Sequence, residues 1–92
     1  MMINDKPFKF KKDVSPLKQI RESLSLSREQ FAVELGTTAN TVYRWETGRH
    51  AVSLTVSQVK KFRQLILRLG LDIDDLPDDI GPPSLIEEGE AI

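Results

Sequence analysis

The feature that most constrains this 92-residue chain is a glycine between two short segments with helical spacing. Before Gly36, the apolar residues Phe31 and Leu35 lie one helical turn apart, and Ser27 with Gln30 forms the pattern of a capping box. Gly36 stands where a helix ends in a left-handed conformation, which residues with a side chain adopt only with strain. The pattern therefore predicts a helix that ends near Leu35 and a sharp turn after it.

A second helix is predicted directly after this turn. The hydroxyl of Thr38 can cap its first turn, and Val42 and Trp45, three residues apart, place an apolar stripe on one side. The small side chain of Ala32 in the preceding helix allows the two helices to approach closely, and Gly48 ends the second one. The unit is thus predicted to be two short helices that cross steeply.

Two further helices are predicted on either side of this pair. The first is predicted over 16–24. It begins at Pro16, because a proline at the first helical position loses no hydrogen bond. The other begins after Thr55 and ends at Gly70, and a short turn over 72–76 follows it. The apolar face of this last helix is predicted to consist of Val59, Phe62, Ile66 and Leu69. The fold class is therefore all-α, a compact bundle of four or five helices.

The net charge of −1 hides an asymmetry along the chain. Residues 1–14 carry four lysines and two aspartates, residues 15–69 carry nine Lys or Arg and four Glu, and residues 70–92 carry eight acidic groups and no basic one. Residues 15–69 are thus basic overall, and the acidic residues 70–92 offset this positive charge in the net charge of the chain. We expect a flexible basic arm before residue 15, one folded domain over 15–77, and an acidic, mobile tail over 78–92.

The composition excludes several classes of protein. No segment approaches the roughly 18 to 20 apolar residues of a membrane-spanning helix, and the N-terminus lacks the apolar core of a secretion signal. Without cysteine, the single histidine cannot complete a zinc site of the usual kind, and the serines and carboxylates form no nucleophile motif. We expect a cytoplasmic protein that is not an enzyme and uses neither a metal nor a cofactor.

Four sequence motifs follow one another between Leu17 and Gly48. As they stand here, they are LxxIRxxL from Leu17, LSREQFA from Leu26, LGTT from Leu35 and VxxWExG from Val42. In this combination the chain resembles the Cro/repressor-type helix-turn-helix family, also called XRE, and residues 53–77 resemble the end of small cyanobacterial members.

The resemblance implies a function as well as a fold, that of a phage-repressor-like helix-turn-helix protein. It implies a transcriptional regulator, in the first place a repressor, that binds specific sequences of double-stranded DNA. The helix over 38–47 would then enter the major groove.

The side of this helix away from its apolar stripe must face outward. Asn40 and Arg44 then lie one helical turn apart, and an amide can pair bidentately with adenine as a guanidinium can with guanine. Ala39 and Thr41 are small enough to contact a thymine methyl group. We expect these four residues to contact bases; the alternative is a solvated helix face without base contacts.

Phosphate contacts are expected around the same helix. The resemblance places them at Arg28 and Thr38, where the free N–H groups of a helix N-terminus favour an anion. Arg49, just past the second helix, and the outward-facing Tyr43 and Thr47 complete this predicted set. The alternative for each arginine is an ordinary solvated charge.

The resemblance gives Arg21 and Glu46 a structural role. In this family an arginine of the first helix pairs with a glutamate near the end of the third. We therefore predict a salt bridge between Arg21 and Glu46 that holds the outward-facing helix against the first one.

The expected partners are double-stranded DNA and a second copy of the chain. A homodimer would bring two such helices roughly 34 to 36 Å apart, one turn of DNA. Its candidate interface positions are Leu65, Leu67, Leu71, Ile73 and Leu76. The alternative function is that of an antitoxin or adaptor whose acidic tail binds a protein partner.

Overall fold

The computed structural model of the protein describes residues 10, 11 and 13–82. The regular elements among these residues are α1 (Pro16–Ser23), α2 (Arg28–Leu35), α3 (Ala39–Thr47), α4 (Val56–Leu67) and a short 3₁₀ turn (Ile73–Asp75). The predicted all-α bundle of four or five helices is confirmed. Most of the predicted arm and residues 83–92 of the predicted tail lie outside the described residues.

Side-chain caps determine where α2, α3 and α4 begin. The Ser27 hydroxyl accepts a hydrogen bond from the Gln30 N–H at 3.0 Å, and the Gln30 side chain accepts one from the Ser27 N–H at 2.9 Å. Thr55 and Gln58 form the same reciprocal pair before α4, and the Thr38 hydroxyl caps α3. Each cap satisfies N–H groups that have no partner inside the helix. These helix starts agree with the sequence pattern.

The start of α1 depends on residues that are far away in the sequence. Pro16 has no N–H group, and the N–H of Leu17 donates to the carbonyl of Ile80 at 3.0 Å. The Ser15 hydroxyl donates to the same carbonyl, also at 3.0 Å. Residues 78–82, which we call the strap, therefore contact the bundle, and the packed region continues past the predicted domain end at 77.

A buried glutamine holds the chain before α1. Gln19 is 8% exposed, and its Nε2 donates to the carbonyls of Lys11 and Val14 at 3.1 and 2.9 Å. Its Oε1 accepts from the Lys11 N–H at 2.7 Å, and Phe10 packs against the core. The packed region thus also begins before residue 15, because one side chain satisfies the backbone of this segment.

A single hydrophobic core joins the four helices. Its buried members are Leu17, Ile20, Phe31, Ala32, Leu35, Val42, Trp45, Phe62, Leu65, Ile66 and Leu71. The apolar stripes predicted for α2 and α3 are confirmed. Val59, predicted to be buried, is 40% exposed. Leu65 and Leu71, predicted at a dimer interface, belong to the core instead: Leu65 shares a helix face with Phe62, and the N–H of Leu71 folds back to the carbonyl of Ile66.

The helix α4 ends earlier than the sequence predicts. Leu67 is its last residue, and the N–H groups of Arg68, Leu69 and Gly70 donate to carbonyls three residues back. Such bonds tighten the last turn of a helix. Gly70 therefore follows this tightened turn rather than closing a regular α-helix.

Glycines end both α2 and α3 in the left-handed conformation. Gly36 has a φ of 89° and Gly48 a φ of 81°, so that a side chain at either position is strained. Their surroundings differ. A Cβ atom at Gly36 would lie 3.2 Å from the flexible end of Lys61, whereas one at Gly48 would lie 3.0 Å from Cγ of the Pro82 ring.

Alanine at these two glycines should therefore destabilise the fold to different extents. Gly36→Ala should lower the free energy of unfolding by about 1–2 kcal/mol through backbone strain alone, because the lysine can move away. Gly48→Ala should cost more, because the Pro82 ring must also shift. Urea unfolding of both variants measures the difference, and a Pro82→Ala background should abolish it. Equal losses of unfolding free energy in the two variants would contradict the expectation that the Pro82 ring resists displacement.

Candidate functional site

The helix α3 has a buried side and an exposed side. Val42, Trp45 and Glu46 are buried, as the periodicity of a helix packed on one side requires. The exposed side, which we call the outer face of α3, consists of Asn40, Tyr43, Arg44 and Thr47.

The polar groups near this face differ in whether they already have a partner. Within residues 13–82, the side chains of Asn40 and Arg44 form no hydrogen bond or ion pair with the protein. The Thr41 hydroxyl accepts from the Thr38 hydroxyl at 3.0 Å, and the Thr47 hydroxyl donates to a carbonyl of α3 at 2.8 Å. The amide and the guanidinium are therefore the groups of α3 most available to a ligand.

Tyr43 brings together two arginines from different parts of the chain. The guanidinium carbon of Arg28 lies 5.1 Å from the centre of the tyrosine ring, and that of Arg49 lies 5.9 Å from it. Both distances are in the range of cation–π contacts. With Arg44 on the next exposed position, three positive charges surround the outer face.

An open depression of about 540 Å³ lies between the N-terminal ends of α2 and α3. It is lined by Arg21, Ser27, Arg28, Glu29, Ala39, Asn40 and Tyr43. Four of the predicted contact residues therefore border one concave surface. The others, Thr41, Arg44, Thr47 and Arg49, continue along α3 toward its C-terminal end, and Thr38 caps its start.

Glu46 is the centre of a buried ion cluster that connects three helices. Its side chain is 1% exposed. Its carboxylate accepts from Arg21 Nε at 2.7 Å, from Arg21 Nη2 at 3.1 Å and from Arg28 Nε at 3.0 Å. Arg21 Nη1 also donates to the Leu26 carbonyl at 3.0 Å. One carboxylate thus fixes α1, α2 and α3 relative to one another.

The sequence pattern does not predict the bond from Arg28 to this cluster; it predicts a phosphate contact for Arg28. A carboxylate accepts up to about four hydrogen bonds, so a buried Glu46 needs more donors than Arg21 supplies. The need for a further donor follows from the burial of Glu46. Which residue supplies it depends on how α2 crosses α3, and the sequence pattern does not give this crossing. The Arg28 side chain is 39% exposed and stays accessible from the outer face.

The part of the chain that the structure describes contains neither a metal site nor a membrane-spanning helix. It contains no group of three or more His, Asp or Glu side chains arranged to hold a metal ion. None of its helices has the length and apolar character needed to cross a bilayer.

Neutralising Glu46 should destabilise the fold far more than neutralising an exposed glutamate. Glu46→Gln leaves two arginines without the charge that offsets them, and a loss of about 3–5 kcal/mol in the free energy of unfolding is expected. The control Glu34→Gln breaks an exposed pair with Arg68 at 3.3 Å and should cost about 1 kcal/mol or less. The fluorescence of Trp45 during urea unfolding measures both values, and similar losses would contradict a bracing role for Glu46.

Among known protein families, residues 17–58 match a family model described as helix-turn-helix. The matched segment contains α1 from its second residue, α2, α3 and the start of α4, with the ion cluster and the whole outer face of α3. A comparison with curated proteins finds no significant match, and neither does a comparison with solved structures. The resemblance of residues 53–77 to small cyanobacterial proteins stays a prediction.

Proposed function

We propose that this chain represses transcription by binding specific sequences of double-stranded DNA. The match of residues 17–58 to a helix-turn-helix family model supports a DNA-binding regulator of the Cro/repressor type. The observation that supports this function best is the outer face of α3. Its amide and guanidinium have no partner within residues 13–82, and positive charge surrounds them. In this proposal α3 lies in the major groove.

Base contacts are proposed for four residues of α3. Asn40 pairs with an adenine and Arg44 with a guanine, each through two hydrogen bonds. The hydroxyl of Thr41 is bonded to Thr38, which leaves its methyl group for contact with a thymine methyl. Ala39 offers a similar small apolar contact.

Phosphate contacts are proposed for residues at both ends of α3. Arg28 and Arg49 contribute most, because the ring of Tyr43 holds both guanidinium groups beside the outer face. Thr38 and Thr47 contribute less, since the Thr38 and Thr47 hydroxyls must exchange internal hydrogen bonds for bonds to phosphate. Tyr43 adds its own hydroxyl.

We further propose a homodimer that acts in the cytoplasm without catalysis. With Leu65 and Leu71 in the core, the candidate interface positions that stay accessible are Leu67, which is 50% exposed, Ile73, which is 37% exposed, and the partly buried Leu76. A dimer through these residues would present two copies of α3 to one DNA site.

Arg44→Ala should remove discrimination at one base pair. After selection of the preferred site from random DNA, the variant should lose about 1–3 kcal/mol of binding free energy on that site. Its affinity for random duplexes should change little. Titration of the selected site and of each single-base variant measures this loss.

The matched control for this experiment is Arg68→Ala, which removes the same charge from the end of α4. Arg68 is bonded to Glu34 and not to α3, so we expect near-normal affinity and specificity. If Arg44→Ala weakens selected and random DNA equally, Arg44 does not contact a base.

Arg49→Gln should weaken binding to all duplexes alike. One lost phosphate contact should reduce the slope of log affinity against log salt concentration by about 1. Arg49 is exposed, so the free energy of unfolding should fall by no more than about 0.5–1 kcal/mol, the value of its contact with the Tyr43 ring. An unchanged slope, or an effect confined to one sequence, would contradict the phosphate assignment.

A further inference from the structure

The strap lies against the C-terminal end of α3. Gly81 is buried, and Pro82 lies so close to Gly48 that a Cβ atom there would be 3.0 Å from its Cγ. Gly48 immediately precedes Arg49, whose N–H donates to the Arg44 carbonyl at 2.9 Å. The last described residue, Pro82, therefore lies beside Gly48 at the C-terminal end of α3, one position before Arg49.

The ten residues that follow Pro82 are acidic and long enough to reach the whole outer face. Residues 83–92 contain Glu87, Glu88 and Glu90 and no basic residue. Ten residues span up to about 33 Å when extended, whereas the nine residues of α3 span only about 14 Å. All three glutamates can therefore reach the arginines around α3.

Charge favours this face over the other surface beside the strap. The cations around the outer face are Arg28, Arg44 and Arg49. Glu46 of α3 is buried and bonded to arginines, and among the described residues the depression beside this face has one exposed carboxylate, Glu29. The other surface is an apolar groove of about 560 Å³, which includes Phe62 and Ile80. Its acidic border consists of Asp74, Asp78 and Asp79. These carboxylates would repel an acidic segment.

We propose that residues 83–92 bind the basic outer face of α3 and compete there with DNA phosphate. This inference rests on the proposed function, because it concerns the regulation of the same surface. The competition lowers affinity for every DNA sequence by the same factor. Random DNA, which binds weakly through phosphate contacts alone, is then left unoccupied, whereas a selected site still displaces the segment.

The first test uses the full chain without DNA. Amide NMR spectra of the wild type are compared with those of a variant that carries Glu87→Gln, Glu88→Gln and Glu90→Gln. At about 20 mM salt we expect shift differences at Arg44 and at residues 48–50, and these should fade near 0.5 M salt, where charges are screened within about 4–5 Å. Differences confined to α4 or to the groove, or no differences in the described residues, would overturn the proposal.

The second test measures affinity for a random-sequence duplex. The triple glutamine variant should bind about tenfold more tightly than the wild type at low salt, and the advantage should shrink as salt rises. A control with Glu34→Gln, Asp74→Asn and Asp78→Asn changes the net charge equally and should gain about twofold or less, through the long-range field alone. Equal gains in both variants would overturn the competition.

The two tests separate this inference from the proposed function. If neither the wild type nor either variant binds DNA, the proposed function fails, while the NMR comparison still reports whether the segment contacts α3. If the triple glutamine variant binds DNA with wild-type affinity, DNA binding stands and the competition fails.

Discussion

The Glu46 carboxylate is removed from water, so its negative charge must be offset by the arginines around it. Arg21 approaches it from α1 through two N–H groups, and Arg28 approaches it from α2. Apolar packing holds the helices together but tolerates small shifts between them, whereas a planar guanidinium binds a carboxylate in one orientation. The direction in which α3 presents its outer face therefore depends on this buried cluster.

The same cluster positions side chains of the surface that is proposed to face DNA. Arg28 is bonded to Glu46 and lies over Tyr43, and Arg49 lies over the same ring. Long basic side chains lose conformational entropy when they bind phosphate. Here much of that entropy is lost during folding, so that the proposed phosphate contacts form at a smaller cost. Arg28 thus contributes both to the stability of the fold and to the proposed binding of phosphate.

The sequence predicts those parts of the fold that follow from local rules. The pairs Ser27 with Gln30 and Thr55 with Gln58 lie three residues apart, and their caps form as the spacing indicates. The exposed position of Asn40 and Arg44 follows from helical periodicity in the same way. The contacts of Ile80 with α1 could not be predicted, because they join distant segments and depend on the path of the chain after α4. The same reason applies to the bond between Arg28 and Glu46, and to Leu71, whose burial requires the chain to reverse after α4.

The bond between Ser15 and Ile80 joins residues 65 positions apart, and this separation has a consequence for the order of folding. Closing so long a loop is entropically costly. All three members of the ion cluster lie between residues 21 and 46. The contacts around Glu46 close shorter loops than the contact of the strap with α1, so α1, α2 and α3 can dock around Glu46 before the strap packs against them. In this order of folding, the shape of the helix-turn-helix does not depend on the segment proposed to restrain it.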